Sequence, residues 1–76
     1  MRVYYFPNAD GTNSFMVAAK NQKEACRLMG GTVGDFKRYG GCKIAPEISM
    51  AKLAMDSPGI VFTRPIGSFS VPWKIR

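Results

Sequence analysis

The sequence predicts one α+β domain of order β-β-α-α-α-β-β, in which helices pack on one face of an antiparallel sheet. Three observations predict it. The chain has 76 residues, room for a single core, because independent domains below roughly 50 residues are uncommon. Short β-branched and aromatic runs stand at both ends, and the apolar spacing between them is that of helices rather than strands. Clusters of Gly, Pro, Asn and Ser separate these runs. The composition agrees, since 46% hydrophobic and 21% charged residues with nine aromatics describe a folded chain rather than a disordered one.

Arg2 to Phe6 is short, β-branched and aromatic. Pro7, Asn8, Asp10, Gly11 and Asn13 supply turn chemistry before the apolar run Phe15 to Ala19, so the two runs read as a hairpin with a long polar tip. Asn21 and Glu24 have capping-box spacing, and Ala25, Leu28 and Met29 form one stripe, which predicts a first helix ending near Met29. Gly30 and Gly31 can close it. Thr32 and Asp35 repeat the capping-box spacing for a second helix that turns Val33, Phe36 and Tyr39 to the core and ends at Gly40 and Gly41. Pro46 suits the first turn of a third helix with the stripe Ile48, Ala51 and Met55, broken by Ser57, Pro58 and Gly59. Ile60 to Arg64 reads as a strand. Phe69, Val71, Trp73 and Ile75 alternate with Ser70, Pro72, Lys74 and Arg76, which predicts a last strand with one buried face. Pro65 and Pro72 belong at strand ends or on a sheet edge, because neither can donate to a ladder. The inward positions give an expected core of Val17, Ala25, Leu28, Phe36, Ile48, Phe62, Val71 and Trp73.

Histidine is absent, which removes the commonest general base and metal ligand together. Cys26 and Cys42 are the only thiols, too few to complete a zinc site or to form a disulfide framework. Cys26 falls in the first helix, where it reads as a small buried hydrophobe. Ser49, Lys52 and Cys42 are nucleophile-class residues without an accompanying base or oxyanion motif. The expectation is a binding protein and not an enzyme, with no metal and no cofactor. No apolar run approaches the roughly 20 residues of a bilayer span, and Met1 to Phe6 is strand-like rather than signal-like. The expected setting is the cytoplasm, with reduced thiols and no membrane partner.

Eleven Lys and Arg against five Asp and Glu give a net charge of +6, a balance that favours a polyanionic partner. The charge is clustered. Residues 20–43 hold six cations against two anions, and residues 60–76 hold three against none. Lys20, Lys23 and Arg27 recur at i, i+3 and i+7, on the side of the first helix opposite Ala25, Leu28 and Met29. Lys37 and Arg38 follow closely, and with Lys43 and Arg64 these residues form the expected contact set for a partner or for nucleic acid. A solvated helix face would show the same spacing.

Two resemblances extend this reading. Cys26, Gly30 and Phe36 hold the small residue, glycine and apolar anchor at the spacings of a helix-turn-helix, so residues 22–39 resemble that motif and imply a DNA-binding accessory or regulator. Gly34 is costly in a recognition helix, and Asp35 repels phosphate. The wider pattern comprises Val17 to Ala19, Gln22 to Ala25, Leu28 to Gly30, Arg38 to Gly40 and Ala54-Met55. It continues through Pro58-Gly59, Val61-Phe62, Arg64-Pro65 and Trp73. This pattern resembles small proteins of phages and other mobile elements. That resemblance implies an anti-defence, anti-CRISPR-like inhibitor acting in a bacterial host cell, whose partner is a host defence protein or ribonucleoprotein complex, with DNA or RNA as further candidates.

Overall fold

The computed structural model describes residues 2–8, 10–37, 43–44, 48–67 and 70–76, with backbone alone at 43–44 and 48–50. The hairpin forms as expected. Strand β1 (Arg2–Phe6) pairs antiparallel with β2 (Asn13–Ala19) in a register that sets Val3 opposite Ala18 and Phe6 opposite Phe15. The tip is held by Asp10, whose Oδ1 accepts from the backbone N–H groups of Thr12 at 2.9 Å and Asn13 at 2.7 Å. Helices α1 (Gln22–Met29) and α2 (Val33–Lys37) follow, then β3 (Lys43–Ile44), α3 (Ile48–Met55), β4 (Phe62–Pro65) and β5 (Lys74–Ile75). The fold is α+β in the predicted order, with the two-residue β3 added between α2 and α3. All strand pairs are antiparallel, in the order β3-β1-β2-β4-β5, which makes β2 central.

The helices do not share one face of the sheet. Tyr4, Phe6, Phe15, Val17 and Ala19 form a core with Ala25 and Cys26 of α1, against which Val33 and Phe36 of α2 also pack. Val3, Met16, Ala18 and Phe62 form a second core with Ala54 of α3. Successive strand residues point to opposite faces, so the sheet is the middle of three layers, with α1 and α2 on one side and α3 on the other. The physical reason stands in β2. Phe15 to Ala19 is apolar at every position, and all five residues are buried. A strand with one wet face alternates, whereas a continuous apolar run needs cover on both. Ala51 and Ala54 let α3 supply that cover at close range.

Three further expectations are corrected. Ala54 points inward on α3 while Met55 is 43% exposed, so the apolar stripe is turned from its predicted phase. Strand β4 starts at Phe62 rather than Ile60, whose N–H closes a turn onto the Ser57 carbonyl. The last strand is confined to Lys74 and Ile75, and Ile75 is 69% exposed. Pro72 has no N–H to give to β4, and Val71 and Trp73 are only half-buried. Of the expected core, Val17, Ala25 and Phe62 are buried, and Leu28, Phe36 and Trp73 pack against the two cores from partly buried positions. Tyr39, Gly40, Gly41, Pro46, Phe69 and the side chain of Ile48 lie outside the described residues.

Candidate functional site

The corner between α1 and α2 is built by backbone chemistry that the local sequence specifies. Asn21 caps α1, its side chain accepting from the Glu24 N–H at 2.8 Å. At the other end Gly30 takes φ 94°, its N–H reaches the Arg27 carbonyl, and the Gly31 N–H reaches the Cys26 carbonyl, both at 3.0 Å. This paired closure satisfies two of the carbonyls that a helix end leaves open. Arg76 serves the next two, its guanidinium donating to Leu28 at 3.1 Å and Met29 at 3.3 Å. Thr32 and Asp35 then cap α2 reciprocally. The Thr32 N–H donates to Asp35 Oδ2 at 2.8 Å, and the Asp35 N–H to Thr32 Oγ1 at 3.3 Å. Phe36 anchors α2 to the sheet, its ring meeting Phe6 edge-on at 5.0 Å.

Ala25 and Cys26 face the core, so the opposite side of α1 is left to Lys23 and Arg27, which are both exposed. They border a groove of about 450 Å³ whose other described walls are Gly31, Thr32, Val33 and Gly34. A shallower depression of about 370 Å³, between Asn21 and Glu24, is bordered by the same two cations. Arg27 Nη2 lies 3.9 Å from Glu24 Oε1, at the outer limit of an ion pair, and exposed pairs of this kind contribute little. Lys37 is exposed in the last turn of α2, one turn beyond Val33 and Gly34 and therefore on their side of the helix.

The other expected contact residues are placed differently. Lys20 is exposed but precedes the Asn21 cap, so it flanks α1 instead of standing on it. Arg64 is half-buried on β4, its guanidinium 4.5 Å from the centre of the Trp73 ring, and Trp73 meets Tyr5 edge-on at 6.3 Å. It shares the sheet face of Phe62, two residues earlier, and so belongs to the layer opposite α1 and α2. Lys43 is on the edge strand β3, and Arg38 lies outside the described residues. Sequence reasoning did not find the groove walls Gly31, Thr32, Val33 and Gly34, nor Arg76 as the cap of α1. The single signal was the cost of Gly34 inside a helix.

Among the described residues no group of three His, Cys, Asp or Glu is placed to hold a metal ion, and no helix is long and apolar enough to cross a membrane. Cys26 is buried, Lys52 is exposed on α3, and Cys42 and the side chain of Ser49 lie outside the described residues. No family model, curated protein or solved structure matches the chain.

Proposed function

We propose that this chain acts by binding and not by catalysis, docking the basic α1–α2 corner on the phosphate backbone of nucleic acid held by a host defence complex and thereby inhibiting it. The observation that carries the reading is the convergence of Lys23 and Arg27, from successive turns of α1, on one groove, with Lys37 one turn beyond its far wall. Clustered exposed cations and a net charge of +6 suit a polyanion. The phage-like sequence pattern supplies the setting.

A helix-turn-helix regulator on duplex DNA is the second reading, favoured by the tight closure at Gly30 and Gly31. One feature counts against it: the Asp35 carboxylate is engaged in capping its own helix.

Fluorescence anisotropy of labelled single-stranded RNA, single-stranded DNA and duplex DNA, repeated over a salt series, tests the proposal. Log affinity should fall with log salt for the parent. Combining Lys23→Glu with Arg27→Glu should flatten the single-strand slope by about 1.4 units, since each lost phosphate contact removes about 0.7. A double variant that stays folded by circular dichroism and keeps both affinity and slope refutes it. Clear preference for duplex supports the regulator instead.

A further inference from the structure

Among the described residues nothing in the folding of the corner calls for glycine at 34, whereas the end of α1 calls for it at Gly30. Gly30 needs the left-handed conformation that ends α1. At Gly31 a Cβ would lie 3.1 Å from Asp35 Oδ2 and 3.1 Å from Phe36 Cε2, closer than an ordinary contact, so both side chains would have to give way to admit it. Gly34 sits in α2 without a positive φ, and among the described residues a Cβ there would meet Thr32 Oγ1, at an ordinary 3.8 Å. Alanine would fit and would favour the helix. The glycine keeps open the groove it lines.

The character of that groove indicates what it takes. Its described walls are mainly apolar, with Val33, Thr32 and the two glycines beside Lys23 and Arg27, residues that can lay their methylene stems along an apolar surface and keep their charged heads in water. Its volume of about 450 Å³ lies within the range of about 300–1,000 Å³ typical of small-ligand sites. An apolar slot beside two cations matches a flat ring that carries an anion. We infer that the groove receives one unpaired nucleotide of a single strand, with its base in the slot above Gly34 and its phosphate on Lys23 and Arg27. This rests on the proposed phosphate contact and adds to it the insertion of a base, which a paired duplex cannot provide.

The experiment compares a short labelled oligo-dT strand with an abasic strand of equal length, against the parent, Gly34→Leu and Gly34→Ala. The parent should bind the oligo-dT about tenfold tighter, the scale of one stacked base. Gly34→Leu should erase that preference and leave abasic affinity unchanged, because the phosphate contacts stay. Gly34→Ala, which fits the backbone without strain, should raise the melting temperature and reduce the preference, and it carries the test if the leucine variant does not fold. Equal binding of both strands by the parent overturns base insertion and leaves the phosphate reading standing. A folded Gly34→Leu that keeps the preference also overturns it. Binding of neither strand refutes the phosphate reading, and this inference falls with it.

Discussion

Met16 and Val17 are neighbours on β2, both fully buried, and each belongs to a different core. The three-layer arrangement therefore predicts that truncating either one is costly. Met16→Ala opens a cavity among Val3, Ala18, Ala54 and Phe62, and removal of a fully buried Met side chain costs about 2–5 kcal/mol. Val17→Ala deletes two methyl groups facing α1, at about 0.8 kcal/mol each before any cavity contribution, or about 2 kcal/mol in total. A chain of this length has about 4–11 kcal/mol of stability at about 0.05–0.15 kcal/mol per residue. Each variant should thus lose a large share of it. At about 4–8 °C per kcal/mol, Met16→Ala should melt at least about 8 °C lower and Val17→Ala about 8–16 °C lower. Urea titration gives the same differences as shifts in midpoint with an unchanged slope. In a two-layer fold one of the two side chains faces water, and its truncation stays within about 0.5 kcal/mol. If either variant falls in that range, helices do not cover both faces of β2.

Two other perturbations test contacts outside the cores. Arg76→Ala should lower the melting temperature by about 4–8 °C, because exposed hydrogen bonds and a cation at a helix C-terminus together contribute about 1 kcal/mol. Arg76→Lys should fall between variant and parent, since it keeps the charge without the two-pronged donor; melts of both that match the parent refute this cap of α1. The Asp10 carboxylate is raised by its partial desolvation but lowered further by the Thr12 and Asn13 hydrogen bonds, which leaves it below its usual pKa. Its stabilisation of the tip is therefore present above the unfolded value of about 3.9 and lost as pH falls through the lower folded value. The difference in melting temperature between parent and Asp10→Asn should shrink through that acid range, and a difference that is constant with pH excludes the linkage.

The parts of this fold legible in the sequence are those decided within a few residues. Asn21 with Glu24, Gly30 with Gly31, and Thr32 with Asp35 fixed the ends of α1 and the start of α2, because each is a hydrogen-bonding unit complete within one turn. The turn of the hairpin follows from the same kind of local pattern at Asp10 and Gly11. What was not legible depends on a second segment. The apolar run at Phe15 to Ala19 calls for cover on both faces, but it does not say which segment supplies the second cover, and that is decided by the return of α3 to the far face. Val71, Trp73 and Ile75 alternate as a buried strand would, yet Pro72 shortens the ladder and leaves them at the rim.

The same division explains the candidate site. Spacing along α1 put Lys23 and Arg27 on one side of a helix, since angular position is a property of that helix alone. A groove is a distance between two helices, and no periodicity in either one states it. Gly34 shows how the gap can be narrowed. A residue that weakens its own helix and is needed neither for backbone conformation nor for close packing has a cost that the fold does not explain, so the reason for it must be sought in what approaches from outside. At Gly31 the structure supplies the reason from within, through Asp35 and Phe36. At Gly34 a Cβ would make an ordinary contact with Thr32, beside a groove bordered by two cations. Two glycines three residues apart, indistinguishable by composition, thus point one to packing and the other to a ligand.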